Sequence, residues 1–489
     1  MLNAIPMVIS KTSWKNVFVF AEVNSALAKN LYNAALFRIR QVFTGWDKEH
    51  RTDLEQLVFD ELVQTKLTYK SFKPRRVLSY AALDKIMRAT QNPDFFAGLP
   101  MQSAQAVIKD AVHDFKAWLD ALKQYKKTPS LFTGKPKMPK YCKSYHKTFT
   151  VTNQDAVIYP VMDKNGNTMG NELKLPGFKR QERIPLNYIN HKSNLRTVTF
   201  KPYYDKYVMT FVIENMASPF YPDMPYMAGL DFGTDNIAAI ACTDGSSVIY
   251  KGGAILSSNQ FFAKEKAKAV SIITKGHKYM SATSKYLASL SRRHDCFLKD
   301  QMHKISTAII RYCVEYRVGV LVVGVNKFWK QKSNIGKVNN QKFVSVPHFQ
   351  LRHMIEYKAL QAGIDVVEQE ESYTSKADIT AFDFMPVYGK EKSRPIFSGQ
   401  RIERGLYLCK GGYCINADCN GAANILRKAV PDAWAGRKDF RFLGFPASIG
   451  FKELNPSDSH KRYLQHPKWK FVNQELRFSY QKNILTPTV

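Results

Sequence analysis

The 489-residue sequence lacks the features that would place it in several large functional classes. No apolar run approaches the ~18 residues a membrane span needs, and the N-terminal MLNAIPMVISKTSWKN has no long apolar core followed by a cleavage site. Seven cysteines, an odd number and widely scattered, form no disulfide framework. There is no phosphate-cradling Gly-x4-Gly-Lys-Ser/Thr loop, no Gly-x-Ser-x-Gly elbow and no dinucleotide fingerprint. No fixed-period repeat or low-complexity tract is present. His348 and His353 share no metal-ligand helical spacing and read as ordinary helix residues. Acidic residues are scarce, with 41 Asp+Glu against 72 Lys+Arg. The chain is thus expected to be globular, reduced and cytoplasmic, with no membrane and no small-molecule substrate.

A formal charge of +31 calls for a polyanion, and nucleic acid is the default partner, because Lys and Arg neutralise phosphates and release condensed counterions. The 45% hydrophobic content is enough for real cores, and the length suggests several domains. Apolar residues at three-to-four spacing predict helices over most of residues 21–125. From 121 to 150 the chain holds eight lysines and no acid, with Gly-Lys-Pro-Lys and Met-Pro-Lys turns. Tyr125, Phe132, Tyr141, Tyr145 and Phe149 interleave with those lysines, the pattern of a surface that grips a backbone and stacks on unpaired bases; a solvated basic loop is the alternative. Short alternating runs, KTFTVTNQ, TVTF and YVMTFVIEN, then predict strands.

From Met227 the pattern changes. MAGLDFG, NIAAIACT and SSVIYKG read as three consecutive strands. A helical stretch of about 257–317 follows, interrupted near Gly276, then the Val-rich strand GVLVVGV. A helix over 347–363, the strand IDVVEQE (364–370) and a helix from 415 to 429 complete the series. Three strands, helix, strand, helix, strand, helix is the order of an RNase H-like fold. Such a fold gathers catalytic groups at strand ends on one side of the sheet. Asp231, placed centrally in the first strand, is costly there unless a charge satisfies it. Asp418 is placed to point from the last helix toward that strand. Two such carboxylates would hold Mg²⁺ or Mn²⁺ for phosphodiester attack. Taken singly, Asp231 also reads as a turn residue and Asp418 as a helix N-cap.

In order along the chain, KNLYNAALFRIRQ (29–41), GKPKMPKY (134–141), TNQ (152–154), GLDFGTDNIAAIA (229–241), SYTSKA (372–377) and INADCNGAANIL (415–426) carry a resemblance. The chain resembles TnpB, the transposon-encoded RNA-guided nuclease family ancestral to the type V CRISPR effectors and related to eukaryotic Fanzor proteins. The resemblance implies an α/β multidomain protein: an RNase H-like (RuvC) nuclease domain, an oligonucleotide-binding-type β-barrel and a helical recognition lobe. The expected divisions are 1–20 and 126–225 for the barrel, 21–125 for the lobe, 226–430 for the nuclease domain with an insert at about 375–414, and 431–489 as a basic extension. It implies an RNA-guided endonuclease that cuts double-stranded DNA beside a short flanking motif, with a guide RNA as cofactor. A guided binder that has lost cleavage, a CRISPR-associated effector of the same chemistry and a stand-alone DNA enzyme are the alternatives. Localisation would be cytoplasmic or nucleoid, or nuclear for a eukaryotic relative.

Two departures from the family pattern matter. Its middle nuclease carboxylate, a Glu ending the fourth strand, is replaced by Gly324. Glu371, with Glu370 as alternate, ends the next strand and is expected to supply the missing ligand beside Asp231 and Asp418; a solvated acidic turn is the other reading. The family's two Cys-x2-Cys pairs are also missing, with Cys409, Cys414 and Cys419 remaining, so a metal-free insert is expected rather than a zinc site. For nucleic acid, the expected contacts are Lys135, Lys137, Lys140 and Tyr141 in the basic stretch. Gln102, Gln105, Thr152 and Asn153 are placed at the flanking motif, and Arg292, Arg293, Lys299 and Lys304 along the heteroduplex. The last four lie in a stretch, 261–304, with ten Lys/Arg against three acids.

Overall fold

The computed structural model describes residues 2–186, 194–214, 223–275, 284–325, 346–387 and 395–455. It is mixed α/β and divides into two units, residues 1–217 and residues 218 onward. No helix among the described residues is long and apolar enough to cross a membrane.

In the first unit, strand β1 (Leu2–Ile9) precedes helix α1 (Lys15–Gly45), so helix begins before the expected residue 21. Helix α1 buries Ala21, Ala28, Leu31, Ala35, Ile39 and Val42, the three-and-four spacing visible in the sequence. Helices α2 (Asp53–Thr68), α3 (Tyr80–Ala89) and α4 (Met101–Lys127) follow. Thr52 and Glu55 start α2 with a reciprocal capping box. The barrel strands form two separate sheets among the described residues. One has the order β1-β7-β6-β2, with β2 at Phe149–Thr152, β6 at Asn194–Tyr203 and β7 at Lys206–Glu214. The other joins β3 (Val157–Met162), β4 (Thr168–Lys174) and β5 (Ile184–Pro185).

In the second unit a six-stranded sheet forms the core. Strands β8 (Tyr226–Phe232), β9 (Asn236–Cys242) and β10 (Ser247–Lys251) run as an antiparallel meander. Helices α5 (Gly253–Thr274) and α6 (Lys285–Glu315) lead to β11 (Val318–Val325), which returns parallel to β8. Helix α7 (His348–Gln361) then leads to β12 (Asp365–Glu370), parallel to β11. Residues 276–283, around the expected interruption at Gly276, lie outside the described residues. Between β12 and the last long helix, strands β13 (Gln400–Glu403), β14 (Leu406–Leu408) and β15 (Cys414–Asn416) make a small antiparallel sheet. Helix α8 (Ala417–Ala429) follows directly. Strand β16 (Ala447–Ile449) adds to the outer edge of β10, and a short helix, α9 (Phe451–Leu454), ends the described chain. The extension is therefore partly built into the second unit: Trp434 is buried and its Nε1 donates to Ala423 O at 3.1 Å. Residues 456–489, with Trp469, lie outside the described residues.

Side-chain alternation in β8 divides its two faces. Ala228, Leu230 and Phe232 join the core shared with α6 and α7, whereas Gly229 and Asp231 face α8. A Cβ on Gly229 would stand 1.9 Å from Ala422 O, and one on Gly421 would stand 2.7 Å from Asp231 Oδ2. Only hydrogen at both positions lets helix and strand approach this closely. Gly229→Ala would force a backbone clash rather than a side-chain adjustment, so a loss of at least ~3 kcal/mol is expected, the upper end of overpacking penalties. Chemical denaturation of the variant measures this; wild-type stability would contradict the packing described.

Candidate active site

Asp231 lies one residue from the end of β8, not at its centre, where the strand opens into a groove of about 2120 Å³. That volume exceeds the ~300–1,000 Å³ of a small-ligand pocket and suits a polymer. Asp231, Glu371 and Asp418 all line it. Asp418 is the second residue of α8. It is not the N-cap, because Asn416 takes that role, accepting from the amides of Asp418 (3.0 Å) and Cys419 (3.1 Å). The Asp418 carboxylate instead accepts from Asn236 Nδ2 at 2.6 Å and lies 3.5 Å from the Arg401 guanidinium.

The two glutamates separate cleanly. Glu370 is committed to structure: its Oε2 takes a 2.7 Å bond from the Lys428 ammonium, and its Oε1 accepts from both Ser372 N and Ser372 Oγ. Against its partial burial, these bonds hold Glu370 below the ordinary carboxylate range. Glu371 turns the other way, and no hydrogen bond or ion pair to its carboxylate is found among the described residues. A Cβ built on Gly324 would lie 3.0 Å from Glu371 Oε2. Val323 pairs with Leu230, so Gly324 follows beside Asp231, and the Ile425 side chain and the Glu371 carboxylate share the space above it.

The site is crowded with like charge. Burial first, then the charges of Glu371 and Asp418, raises the Asp231 carboxyl well above its usual range, with Arg401 and the Phe232 amide opposing. Burial, reinforced by Glu370 and opposed by Lys428, pushes Glu371 up to about 7. Among the described residues, no group of three His, Cys, Asp or Glu side chains is arranged to clasp a metal ion as it stands. The donor chemistry nevertheless suits a hard divalent cation: oxygen ligands, largely desolvated, whose mutual repulsion a positive charge would relieve.

Several residues that hold the site escaped the sequence reading. Asn420 and Asn424, one turn apart on α8, are fully buried. Asn420 Nδ2 donates to Ala377 O at 2.8 Å, and Asn424 Nδ2 to Thr374 O and Ala377 O at 3.0 and 2.7 Å. They fasten the turn after Glu371 to the helix that carries Asp418. His348 Nε2 donates to Gly233 O at 2.7 Å beneath the β8–β9 turn. Where the resemblance expects the first cysteine pair, fully buried Asp378 accepts from Thr380 N (2.9 Å), Thr380 Oγ1 (2.7 Å) and Lys410 N (2.7 Å). Asp383 accepts from Asp378 N (2.9 Å) and Ser398 N (2.8 Å). Carboxylate–amide bonds thus knit the insert together around buried Cys409, while Cys414 is exposed.

The expected nucleic-acid residues fare unequally. The basic stretch is pinned along α1 and α4: Asn33 exchanges hydrogen bonds with the Cys142 backbone, Trp118 donates to Pro136 O, and Arg40 sits 4.9 Å over the Tyr141 ring. Lys135, Lys137 and Lys140 are all exposed along it. Tyr145 is 84% exposed, but Phe149 is a core residue stacked on Phe200 and is not available to a base. Gln102 and Gln105 are half-buried near the start of α4; Thr152 ends β2 and Asn153 begins the turn after it. On α6, Arg293 and Lys299 are exposed and Arg292 is half-buried; Lys304 is tied to Asp300 at 2.6 Å and to Asn455.

The Glu371 environment sets a pH dependence. Folded Glu371 keeps its proton to about pH 7, whereas an unfolded Glu loses it near 4.5. The folded state therefore binds more protons in that window, and stability falls as pH rises through it, by up to ~1.4 kcal/mol per pH unit. Denaturation midpoints in chelator should drop from pH 5 to pH 8, and drop less in Glu371→Gln. Equal drops in both proteins would contradict the environment described.

Comparison with known proteins finds partial matches. A family model described as a probable transposase (OrfB_IS605) matches residues 214–329, and one described as the Cas12f1-like TNB domain matches residues 348–425. A TnpB-like protein, ORF457, of Acidianus two-tailed virus is 28% identical over 212 residues, and the match spans 42% of this chain and 42% of that protein. The solved Cas12f1–sgRNA–target DNA complex aligns with 83% of this chain and 82% of its own at 14% identity and a TM-score of 0.49. The mini-RNA-guided endonuclease CRISPR-Cas_phi3 aligns with 88% and 92% at 10% identity and a TM-score of 0.37. By sequence the chain is similar to a TnpB-like protein over part of its length, and the stretches matched by the family models are those that carry Asp231, Glu371 and Asp418.

Proposed function

We propose that the chain is an RNA-guided, divalent-metal-dependent DNA endonuclease with an RNase H-like, RuvC-type nuclease domain. The carrying observation is the position of Glu371, whose carboxylate lies 3.0 Å from where a Gly324 side chain would begin and whose charge reaches Asp231. The family's missing carboxylate has a substitute arriving from the neighbouring strand. Support comes also from the strand order β12-β11-β8-β9-β10 with α8 laid across β8, and from the +31 charge. The TnpB relationship supports a guide RNA and a double-stranded DNA target as partners, with base pairing supplying sequence choice and the protein reading a short flanking motif.

In this reading Asp231, Asp418 and Glu371 would hold Mg²⁺ or Mn²⁺. The bound metal would supply an activated water and charge neutralisation at the leaving oxygen. The chain's own residues set the geometry. Asn236 fixes the rotamer of Asp418, Asn420 and Asn424 fix the turn that carries Glu371, and Lys428 withdraws Glu370 from the site. A second reading, a guided DNA binder without cleavage, draws on Gly324 and on the lack of a closed ligand set among the described residues.

The test is cleavage of guide-matched double-stranded DNA by the protein purified with its RNA, in Mg²⁺. Wild type should cut, Asp231→Ala and Glu371→Gln should fall to background, and Glu370→Gln should stay within about tenfold, as befits a residue outside the ligand set. Tight guided binding by wild type without cutting would favour the second reading. Cutting by Glu371→Gln at the wild-type rate would remove Glu371 from the site.

A further inference from the structure

The hairpin formed by β13 and β14 makes one wall of the nuclease groove, with residues 401–406 facing it. Its two arginines do not extend freely. Arg401 reaches 3.5 Å from Asp418, and Arg404 pairs with Asp235 in the β8–β9 turn. Two cations from one hairpin thus pair with carboxylates that line the groove, and the charge of Arg401 also reaches Asp231. The hairpin cannot swing away from the site, because Leu406 pairs with Asn416 and Gly405 O accepts from Ala417 N at 3.0 Å, at the start of α8. Any release must therefore come from the side chains. Such release is easy: the Arg401 and Asp418 side chains are 45% and 27% exposed, and half-exposed ion pairs are weak.

We propose that Arg401 and Arg404 form an ionic latch in which phosphodiester groups and carboxylates compete for the same guanidiniums. With no nucleic acid in the groove, Arg401 occupies Asp418 and opposes a divalent cation there. A phosphodiester backbone entering the groove takes both guanidiniums, which suit phosphate bidentately, and leaves Asp418 to the cation. Metal and strand then bind cooperatively, and the site is assembled only around its substrate. Arg401 acts here as a positioning residue that works through Asp418. The inference rests on the nuclease reading above.

The experiment measures Mn²⁺ affinity by the electron paramagnetic resonance of free Mn²⁺, using the full chain with its RNA. Without DNA, Arg401→Ala should bind Mn²⁺ about 2- to 5-fold more tightly than wild type, the range an exposed ion pair supports, and Arg401→Lys should stay close to wild type. Adding guide-matched target with phosphorothioate linkages should tighten Mn²⁺ binding by wild type but not by Arg401→Ala. The Arg401→Ala/Arg404→Ala double variant should also bind that target more weakly. An Arg401→Ala affinity equal to or weaker than wild type would overturn the latch while leaving the nuclease reading intact. Identical Mn²⁺ binding by wild type and Asp231→Ala would overturn the nuclease reading itself, and the latch with it.

Discussion

The nuclease unit depends on one close approach, the contact of α8 with β8 across Gly229 and Gly421. Without side chains at those positions, a helix formed more than 180 residues after the strand lies directly on it. The contact brings Asp418 beside Asp231 and sets both under shared burial. Its cost is electrostatic: burial together with the charges of Glu371 and Asp418 raises the Asp231 carboxyl well above its usual range. In the proposed reading a divalent cation would relieve that repulsion.

The same contact bears on the proposal that Glu371 replaces the family's missing carboxylate. Gly324 and Asp231 share the sheet face covered by α8, and Glu371 enters that space from the end of β12. Its orientation is set by neighbours rather than by its own position in the chain. Lys428 and Ser372 claim Glu370, leaving the adjacent residue to turn inward. Asn420 and Asn424 then hold the following turn against α8, so the substitute ligand and Asp418 are braced by one helix. The insert shows a parallel solution: amide bonds to Asp378 and Asp383 organise the segment where the family usually places cysteine pairs.

Much of this was legible in the residues. The Val-rich run at 318–325 and the alternation in β7 reveal strands because burial imposes a period, and α1 and α4 reveal themselves the same way. Asp231 and Asp418 stood out because a carboxylate among Gly and Ala is expensive. Other features depend on tertiary proximity, which leaves no local period. Nothing near Asn236 announces a partner 182 residues away. Phe149 resembles a stacking ring in sequence, yet the register of β2 against β6 places it in a core. Choosing between Glu370 and Glu371 required knowing where Lys428 falls. Asn420 and Asn424 carried a usable signal, since two asparagines four apart on an otherwise apolar helix face need buried partners.

The central claim is that Glu371 takes over the role of a carboxylate missing at Gly324. Its most direct measurement is the Mg²⁺-dependent cleavage rate of Glu371→Ala against that of the Gly324→Glu/Glu371→Ala double variant. Removing Glu371 clears the oxygen nearest the new side chain, leaving only the flexible Ile425 Cδ1 to move. The account predicts background cleavage for the single variant and partial recovery in the double. Wild-type cleavage by Glu371→Ala would contradict it.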